Sequence, residues 1–502
     1  MSYLIIPAGD EACSVRQQMT DYWAQFSEPT LENMMLNEDA RQLAEQEETE
    51  ILDSVPQVGG MRVLELGAGI GRFTRKLAER AKHVTAVDFL ETYIEKNRQS
   101  NEHLGNVEFV CMDVTQLKQD NGQYDMIFSN WLLMYLGDDE IDKLVSSMLR
   151  WLKPNGYLFI RESCIKQSGN KKRQTNPTFY RSPAHYCSLL QGPSMKSPEA
   201  DYRFTLRYAA SVDVFIKYSG NPYQLLYLLR KTPTSDYFSS FQNFLDKHQY
   251  CLNGIKRYEA VYGDSFVSCG GKPVTERLCD RLDLQAHSRV LDVGTGPGGS
   301  AIHMASRYGC HVTGIDLSAN MVTVALQRQA SLPPAVRERL RFEISDITER
   351  EYRDASYDVI YSRETLLHVE DKTAVLAKFW RWLKPGGKLL ITDYCQGEGQ
   401  LRNEFLEYKS ARAYRLLTLQ EYGGVVEAAG FTDVQVRDQK DDFLNVLHQE
   451  LDTFRARRPQ FVEEFSESEF RDTVVGWEQK IARATDGSQV WGLIAAQKPN
   501  EE

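Results

Sequence analysis

Residues 289–320 read RVLDVGTGPGGSAIHMASRYGCHVTGIDLSAN, and this stretch restricts the fold more than any other. An apolar run from Val290 to Val293 stops at a turn that holds Gly294, Gly296, Gly298 and Gly299. A helical segment follows, and a second apolar run ends on Asp316. The pattern is strand, tight turn, helix, strand, acid. Glycines in such a turn let the backbone approach a ligand more closely than a chain carrying Cβ atoms could. The terminal acid can accept hydrogen bonds from a ribose diol.

The same pattern occurs earlier in the chain. Residues 61–89 read MRVLELGAGIGRFTRKLAERAKHVTAVDF, so Gly67, Gly69 and Gly71 match Gly294, Gly296 and Gly298. Asp88 matches Asp316, and Glu65 matches Asp292. NVEFVCMDVT pairs with LRFEISDIT, YDMIFSNWLLMYL with YDVIYSRETLLHV, and RWLKPNGYLFIRE with RWLKPGGKLLITD. Five landmarks in one order at nearly one spacing make the halves homologous domains. Domains of 1–235 and 236–502 are expected, each near the usual domain size. Alternating apolar strands and helical stretches make each half α/β, with a mostly parallel sheet. Charged helical segments, residues 15–56 and 241–275, should cover the two sites as lids. Residues 202–217 and 222–230 read as strands closing the first sheet. In the second half, 431–437 and 490–497 read as strands and 441–484 as an amphipathic helical region.

The net charge of -11 opposes a nucleic-acid partner, because phosphate backbones require a basic face. No apolar run reaches the roughly 20 residues of a membrane span, so no stable membrane insertion is expected. The N-terminus lacks the basic region of a signal peptide, and the nine cysteines form no CxxC pair. A cytoplasmic protein with reduced thiols and no metal is the expectation.

A glycine turn alone does not separate a dinucleotide from S-adenosylmethionine. The acid inside the first strand (Asp292) and the later spacing of Asp346 and YDVIYSR favour S-adenosylmethionine. With the segments around these motifs, the chain resembles the tandem-domain phosphoethanolamine N-methyltransferases over nearly its whole length. The first half rests on MMLNEDA, VLELGAGIGRFT, IFSNWLLMYL, RESC and NPTFYRSP. The second rests on IKRYEAVYGDSFVSCGG, IYSRETLLH, WLKPGGKLLITDYC and WGLIAAQK.

The resemblance implies two Rossmann-like class I methyltransferase domains, each with a seven-stranded sheet and a helical lid. It implies three methylations, from phosphoethanolamine through phosphomonomethylethanolamine and phosphodimethylethanolamine to phosphocholine, which feeds phosphatidylcholine synthesis. The first domain is expected to perform the first step and the second domain the next two, in a monomer. S-adenosylmethionine leaves as S-adenosylhomocysteine. The cofactor is expected at Gly67, Gly69, Asp88, Phe89, Asp113 and Val114 in the first half. In the second half it is expected at Gln249, Tyr258, Val267, Ser268, Gly294, Asp316, Leu317, Asp346, Ile347 and Arg363. Tyr250 and His368 are implied as a catalytic dyad, and Tyr394, Tyr408, Arg412, Tyr414 and Lys480 as the phosphate side.

The first half is not a copy. Tyr135 stands opposite His368 and Asn130 opposite Arg363. Tyr22 is a candidate lid tyrosine there, and Tyr180 and Arg181 are candidate phosphate ligands. Two other readings stand beside the main one: methylation of a different small amine or a lipid, and a first domain reduced to a regulatory module that binds S-adenosylmethionine.

Overall fold

The computed structural model describes residues 11–171, 176–198, 200–234 and 238–500, without the side chains of 11–15 and 238–240. The chain forms two compact units that divide between Phe241 and Gln242.

In the first unit the parallel strands are β1 (Arg62–Leu66), β2 (His83–Asp88), β3 (Val107–Cys111), β4 (Tyr124–Asn130) and β5 (Leu152–Ser163). The short β6 (Ser194–Met195), then β7 (Tyr202–Ser211) and β8 (Gln224–Pro233), complete the sheet. The order is β7-β8-β5-β4-β1-β2-β3, antiparallel at β5/β8 and β7/β8, with β6 pairing on β7. The sheet therefore has seven long strands, as expected, plus a two-residue eighth. Helices cover both faces, so the central strands read as continuous apolar runs rather than alternating ones. Val63, Leu64, Leu66, Ile127 and Phe128 are buried. Each such side chain contributes about 1.5–3 kcal/mol.

One predicted strand is shorter than expected. Residues 202–217 were expected to be extended throughout, but β7 ends at Ser211 and Asp213–Ser219 is a helix. Glu50, on the lid helix Ala40–Asp53, accepts the amides of Asp213 and Val214 with its two carboxylate oxygens. That satisfies two of the N–H groups a helix start leaves open.

The second unit contains β9 (Arg289–Val293), β10 (His311–Asp316), β11 (Leu340–Ile344), β12 (Tyr357–Arg363), β13 (Leu383–Gln396), β14 (Thr432–Asp438) and β15 (Gln489–Gln497). Their order is β14-β15-β13-β12-β9-β10-β11, with β15 antiparallel to both its neighbours. The units differ most between their last two strands. The first unit spans that gap with Asp213–Ser219, the second with helices Lys440–Ala456, Arg458–Glu464 and Glu467–Thr485. Pro459 opens the middle helix, where its missing N–H costs nothing. The buried faces of the outer two carry Phe443, Leu447, Leu451, Phe454, Phe470 and Trp477.

Candidate active sites

Both glycine turns sit where a parallel strand feeds a helix, at the carboxyl edge of the sheet, the usual place for ligands in open α/β sheets. In each, the acid ending the second strand is tied to the turn. Asp88 accepts the amides of Gly69 (2.9 Å) and Leu90 (3.0 Å). Asp316 accepts those of Gly296 (2.9 Å) and Ser318 (2.8 Å). Burial pushes the Asp316 carboxyl up to about 6, while those amides pull it down. Gly294 holds φ +75°, and a Cβ there would collide with Thr365 Oγ1. Gly69 holds φ +56°, and a Cβ there would press on Met34 Sδ. Backbone amides, an acid at the end of the second strand and space without Cβ atoms suit an adenosyl cofactor.

The acids inside the first strands are buried as well. Glu65 accepts the Thr74 hydroxyl at 2.5 Å, and burial pushes it up to about 8. Asp292 accepts the Thr295 hydroxyl at 2.8 Å and rises to about 7 for the same reason. Asp113 and Asp346 each fold into an Asx turn, accepting the amide and hydroxyl of Thr115 and Thr348 respectively. Desolvation also raises the Asp346 carboxyl.

The first-unit cleft opens to about 1260 Å³ with its mouth. Gly67, Gly69, Asp88, Phe89, Asp113 and Val114 all line it, together with Arg16, Trp23, Arg72, Tyr135 and Tyr180. Tyr22 lies beneath that wall in a cluster with Met19, Leu36, Met134 and Tyr135. Arg16 of the lid grips Glu140 and the Tyr135 carbonyl at 2.8 and 3.0 Å.

In the second unit the lid is latched onto the residues that follow Asp316. Asp246 accepts from Ser318 Oγ (2.5 Å) and from the Ala319 and Asn320 amides (3.3 Å each). Asn320 Nδ2 donates back to the carbonyls of Asp246 and Tyr250, and Gln242 donates to the Leu317 carbonyl. The sequence offered no pointer to this latch beyond an acid and an amide in ordinary helical surroundings. Gln249 donates to the Tyr250 hydroxyl at 3.0 Å, and Val267 lies against Gly296. Ser268 opens the turn into the helix Gly271–Cys279. Ile347 is buried in the core behind the sheet edge. Arg363 is buried, and its two Nη groups donate to Cys269, Gly271 and Thr275 of the lid. Nε is the guanidinium nitrogen with no protein acceptor.

The residues expected at the acceptor end form one continuous cluster. Lys480 Nζ donates to the Tyr394 hydroxyl (2.7 Å) and the Tyr262 hydroxyl (3.4 Å), inside a ring of Tyr262, Tyr394, Phe443 and Trp477. Tyr394 faces Tyr414 at 6.4 Å between ring centroids. Tyr414 meets Tyr408 at 5.8 Å and His368 edge-on at 5.2 Å. Arg412 lies over Tyr408 and bonds Tyr258, which packs on Tyr250. Burial depresses His368 to about 4, against a hydrogen bond to the Ala413 backbone, so its imidazole is neutral at pH 7. Burial raises the phenols of Tyr250, Tyr262, Tyr394 and Tyr414.

A carboxyl on the fifth parallel strand supports the turn that carries Tyr135 in one unit and His368 in the other. Glu162 accepts the amides of Leu132, Leu133 and Met134. Asp393 accepts the Leu367 amide and the Tyr422 hydroxyl. The two carboxyls hold Tyr135 and His368 in equivalent one-turn 3₁₀ helices.

Backbone pairing then fixes the remaining correspondences. Phe179 N donates to Met134 O as Arg415 N does to Leu367 O, so Phe179 matches Arg415. Tyr414 is thereby opposite Thr178, Arg412 opposite Asn176, and Arg181 opposite Leu417. The expectation that Arg181 holds phosphate is overturned. It is buried, and its donors are taken by the Leu133 and Leu136 carbonyls and Asp138. In this register the YR pair of the first unit (Tyr180, Arg181) falls two residues past the YR pair of the second (Tyr414, Arg415).

A profile described as a methyltransferase domain matches residues 63–156, and another so described matches 284–450. Phosphoethanolamine N-methyltransferase 1 of Zea mays is 43% identical over 96% of this chain and 96% of its own. Phosphoethanolamine N-methyltransferase 3 of Arabidopsis thaliana is 43% identical over 96% and 98%. Among solved structures, Haemonchus contortus phosphoethanolamine N-methyltransferase 2, in complex with phosphomonomethylethanolamine and S-adenosylhomocysteine, superposes with a TM-score of 0.74. It shares 27% identity, over 91% of this chain and all of that one. The two glycine turns with their strand-end acids, the cluster of tyrosines around Lys480 and Arg412, and the full-length similarity to the plant proteins lead to one statement: this chain belongs to the phosphoethanolamine N-methyltransferase family.

Proposed function

We propose that the chain methylates the nitrogen of phosphoethanolamine three times, through the mono- and dimethyl compounds, to phosphocholine. The first unit takes the first step and the second unit the remaining two. S-adenosylmethionine, when bound, supplies an electrophilic methyl group. The chain's own residues must deprotonate the amine and align it, because an alkylammonium titrates near 10.4 and lacks a lone pair at pH 7.

His368 suits the proton transfer. Its imidazole is neutral because burial holds it near 4, so a ring nitrogen can accept from the substrate ammonium. Tyr250, held by Gln249 and by the Asp246–Asn320 latch, keeps its phenol protonated and closes the site. The phosphate falls to Arg412 and Lys480 with the hydroxyls of Tyr394, Tyr408 and Tyr414. A guanidinium fork and an ammonium are the cations that phosphate recognition uses. The aromatic faces of the same tyrosines attract the ammonium as its methyl count grows.

The observation that carries this reading is the unbroken cluster from His368 through Tyr414 and Tyr394 to Lys480. It pairs a proton acceptor with an anion site across a short, aromatic-walled space. Purified protein with labelled S-adenosylmethionine and phosphoethanolamine should yield mono-, di- and trimethyl products, and absence of labelled product overturns the proposal. No helix among the described residues is long and apolar enough to cross a membrane. We infer that the protein works in the cytoplasm on these small soluble substrates, as a monomer.

A further inference from the structure

The one-turn helices that carry Tyr135 and His368 are each closed at their far end by a buried cation. Leu136 and Val369 follow those residues and are themselves buried. A helix end leaves its last carbonyls without internal donors, and burial makes that costly. In the first unit Arg181, 5% exposed, donates to the Leu136 carbonyl at 2.6 Å and to the Leu133 carbonyl at 3.2 Å. In the second unit Lys372, 4% exposed, donates through Nζ to the Val369 carbonyl at 2.8 Å and to the Arg415 carbonyl at 2.5 Å. The two cations come from different elements. Arg181 lies in the segment after β5, opposite Leu417, whereas Lys372 opens the helix Lys372–Trp382. Counted back from the shared RWLKP, Lys372 falls opposite Ile141. Ile141 is fully buried and Leu417 packs on the core of its unit. Each unit therefore has a cation at one of these two positions and an apolar side chain at the other. What the units share is the carbonyl that the cation reaches.

The cation also joins the same two pieces in both units. Arg181 belongs to residues 176–181, which correspond to 412–417. Lys372 reaches the latter segment through the Arg415 carbonyl. That segment carries Arg412 and Tyr414, and the His368 imidazole bonds the Ala413 backbone between them. Ala413 holds φ +53°, a left-handed conformation that a residue with a Cβ keeps only when its surroundings enforce it. Resting on the proposed methylations, we propose that Arg181 and Lys372 are positioning residues. Each clamps the turn that carries Tyr135 or His368 to the segment beside it, and so fixes the span between the amine end and the phosphate end of its site.

Lys372→Met keeps the length of the side chain and removes its donors. With phosphomonomethylethanolamine as substrate, the full chain should lose about 10- to 100-fold in kcat, the cost of a displacement on the order of 1 Å at the reacting atoms, and its KM should rise. Rates are counted per equivalent of S-adenosylhomocysteine bound in calorimetry, so chains that fail to fold drop out. A side chain that only stabilises the fold would reduce those equivalents and leave kcat per equivalent and KM at parent values, which overturns the proposal. Lys372→Arg, which keeps charge and donors, should retain more of kcat than Lys372→Met. Adding Leu417→Arg to Lys372→Met places a cation where the first unit has one and should recover most of the lost kcat. No recovery would tie the role to one helix and overturn the common clamp. Arg181→Met should do to the first methylation, read with phosphoethanolamine, what Lys372→Met does to the later ones. An unaltered chain that methylates neither substrate would instead overturn the proposed function, and this inference with it.

Discussion

Both units bury a guanidinium at the carboxyl edge of the sheet, but they draw it from opposite members of one strand pair. In the first unit Asn130 on β4 pairs with Arg161 on β5, and in the second Arg363 on β12 pairs with Thr392 on β13. The partners follow the cation. Arg161 is stacked on Trp131 at 3.4 Å and salt-bridged to Glu47 of its lid. Arg363 instead donates to backbone carbonyls of its lid. Each lid is thus anchored on a buried cation, by a charge in one unit and by dipoles in the other. The glycine turns, by contrast, are bonded alike atom for atom. Cofactor binding tolerates little variation because the adenosyl group is the same in both. The residues proposed for acceptor binding differ, as the proposed division of the methylations between the units requires.

The strongest test of that divergence is His368→Ala. Removing a positioned proton acceptor costs about 10²- to 10⁴-fold. The second and third methylations should fall by that much while the first persists, read as accumulation of phosphomonomethylethanolamine. Loss of all three steps together would erase the distinction between the units.

The next tests address the phosphate side. Lys480→Met and Arg412→Asn each remove a cation that has no counterpart among the described residues of the first unit, and each should raise KM for the monomethyl substrate about 10- to 100-fold. Neither should change KM for phosphoethanolamine in the first step. A matching rise there would mean that the second unit also supplies the first methylation. In a third test, Tyr135→His in the His368→Ala background should leave the later methylations at the reduced level of His368→Ala alone. The transplanted imidazole would stand beside Thr178, Asn176 and Ser163, where the second unit has Tyr414, Arg412 and Tyr394. Recovery of trimethyl product would show that a single residue separates the units.

Much of this could be read from the chain before any coordinates. The doubled glycine turn fixed the sheet type and the cofactor edge, because strand, turn and acid are contiguous in sequence and their geometry is local. Lys480, Arg412 and Tyr414 could be named only through family resemblance. Each sits in a charged amphipathic stretch whose composition resembles a solvated face, and 86 residues separate Lys480 from Tyr394. Glu47 shows the limit most clearly. Within AEQEETE it reads as one of several exposed acids, but it is fully buried between Arg72 and Arg161. Periodicity places a residue on a helix face, but it cannot reveal which cation from another element meets that face. Arg181 failed for a related reason, since a shift of a few residues in a loop is invisible until backbone bonds set the register.

The smallest effect concerns the acids inside the first strands, where the units are alike. Glu65 rises to about 8 in the folded chain because burial disfavours its charge. The folded state therefore keeps a proton that the unfolded chain releases above about 4.3. Stability tied to this group falls as pH climbs from that value through about 8. Glu65→Gln cannot titrate and escapes the loss. The variant should melt like the parent at pH 5 and be more stable at pH 8, by on the order of 2 kcal/mol once partial relaxation around a buried carboxylate is allowed for. Asp292→Asn should shift in the same direction, since Asp292 is raised to about 7 by the same burial. Equal melting-temperature differences at pH 5 and pH 8 would mean that Glu65 is ionised within the fold.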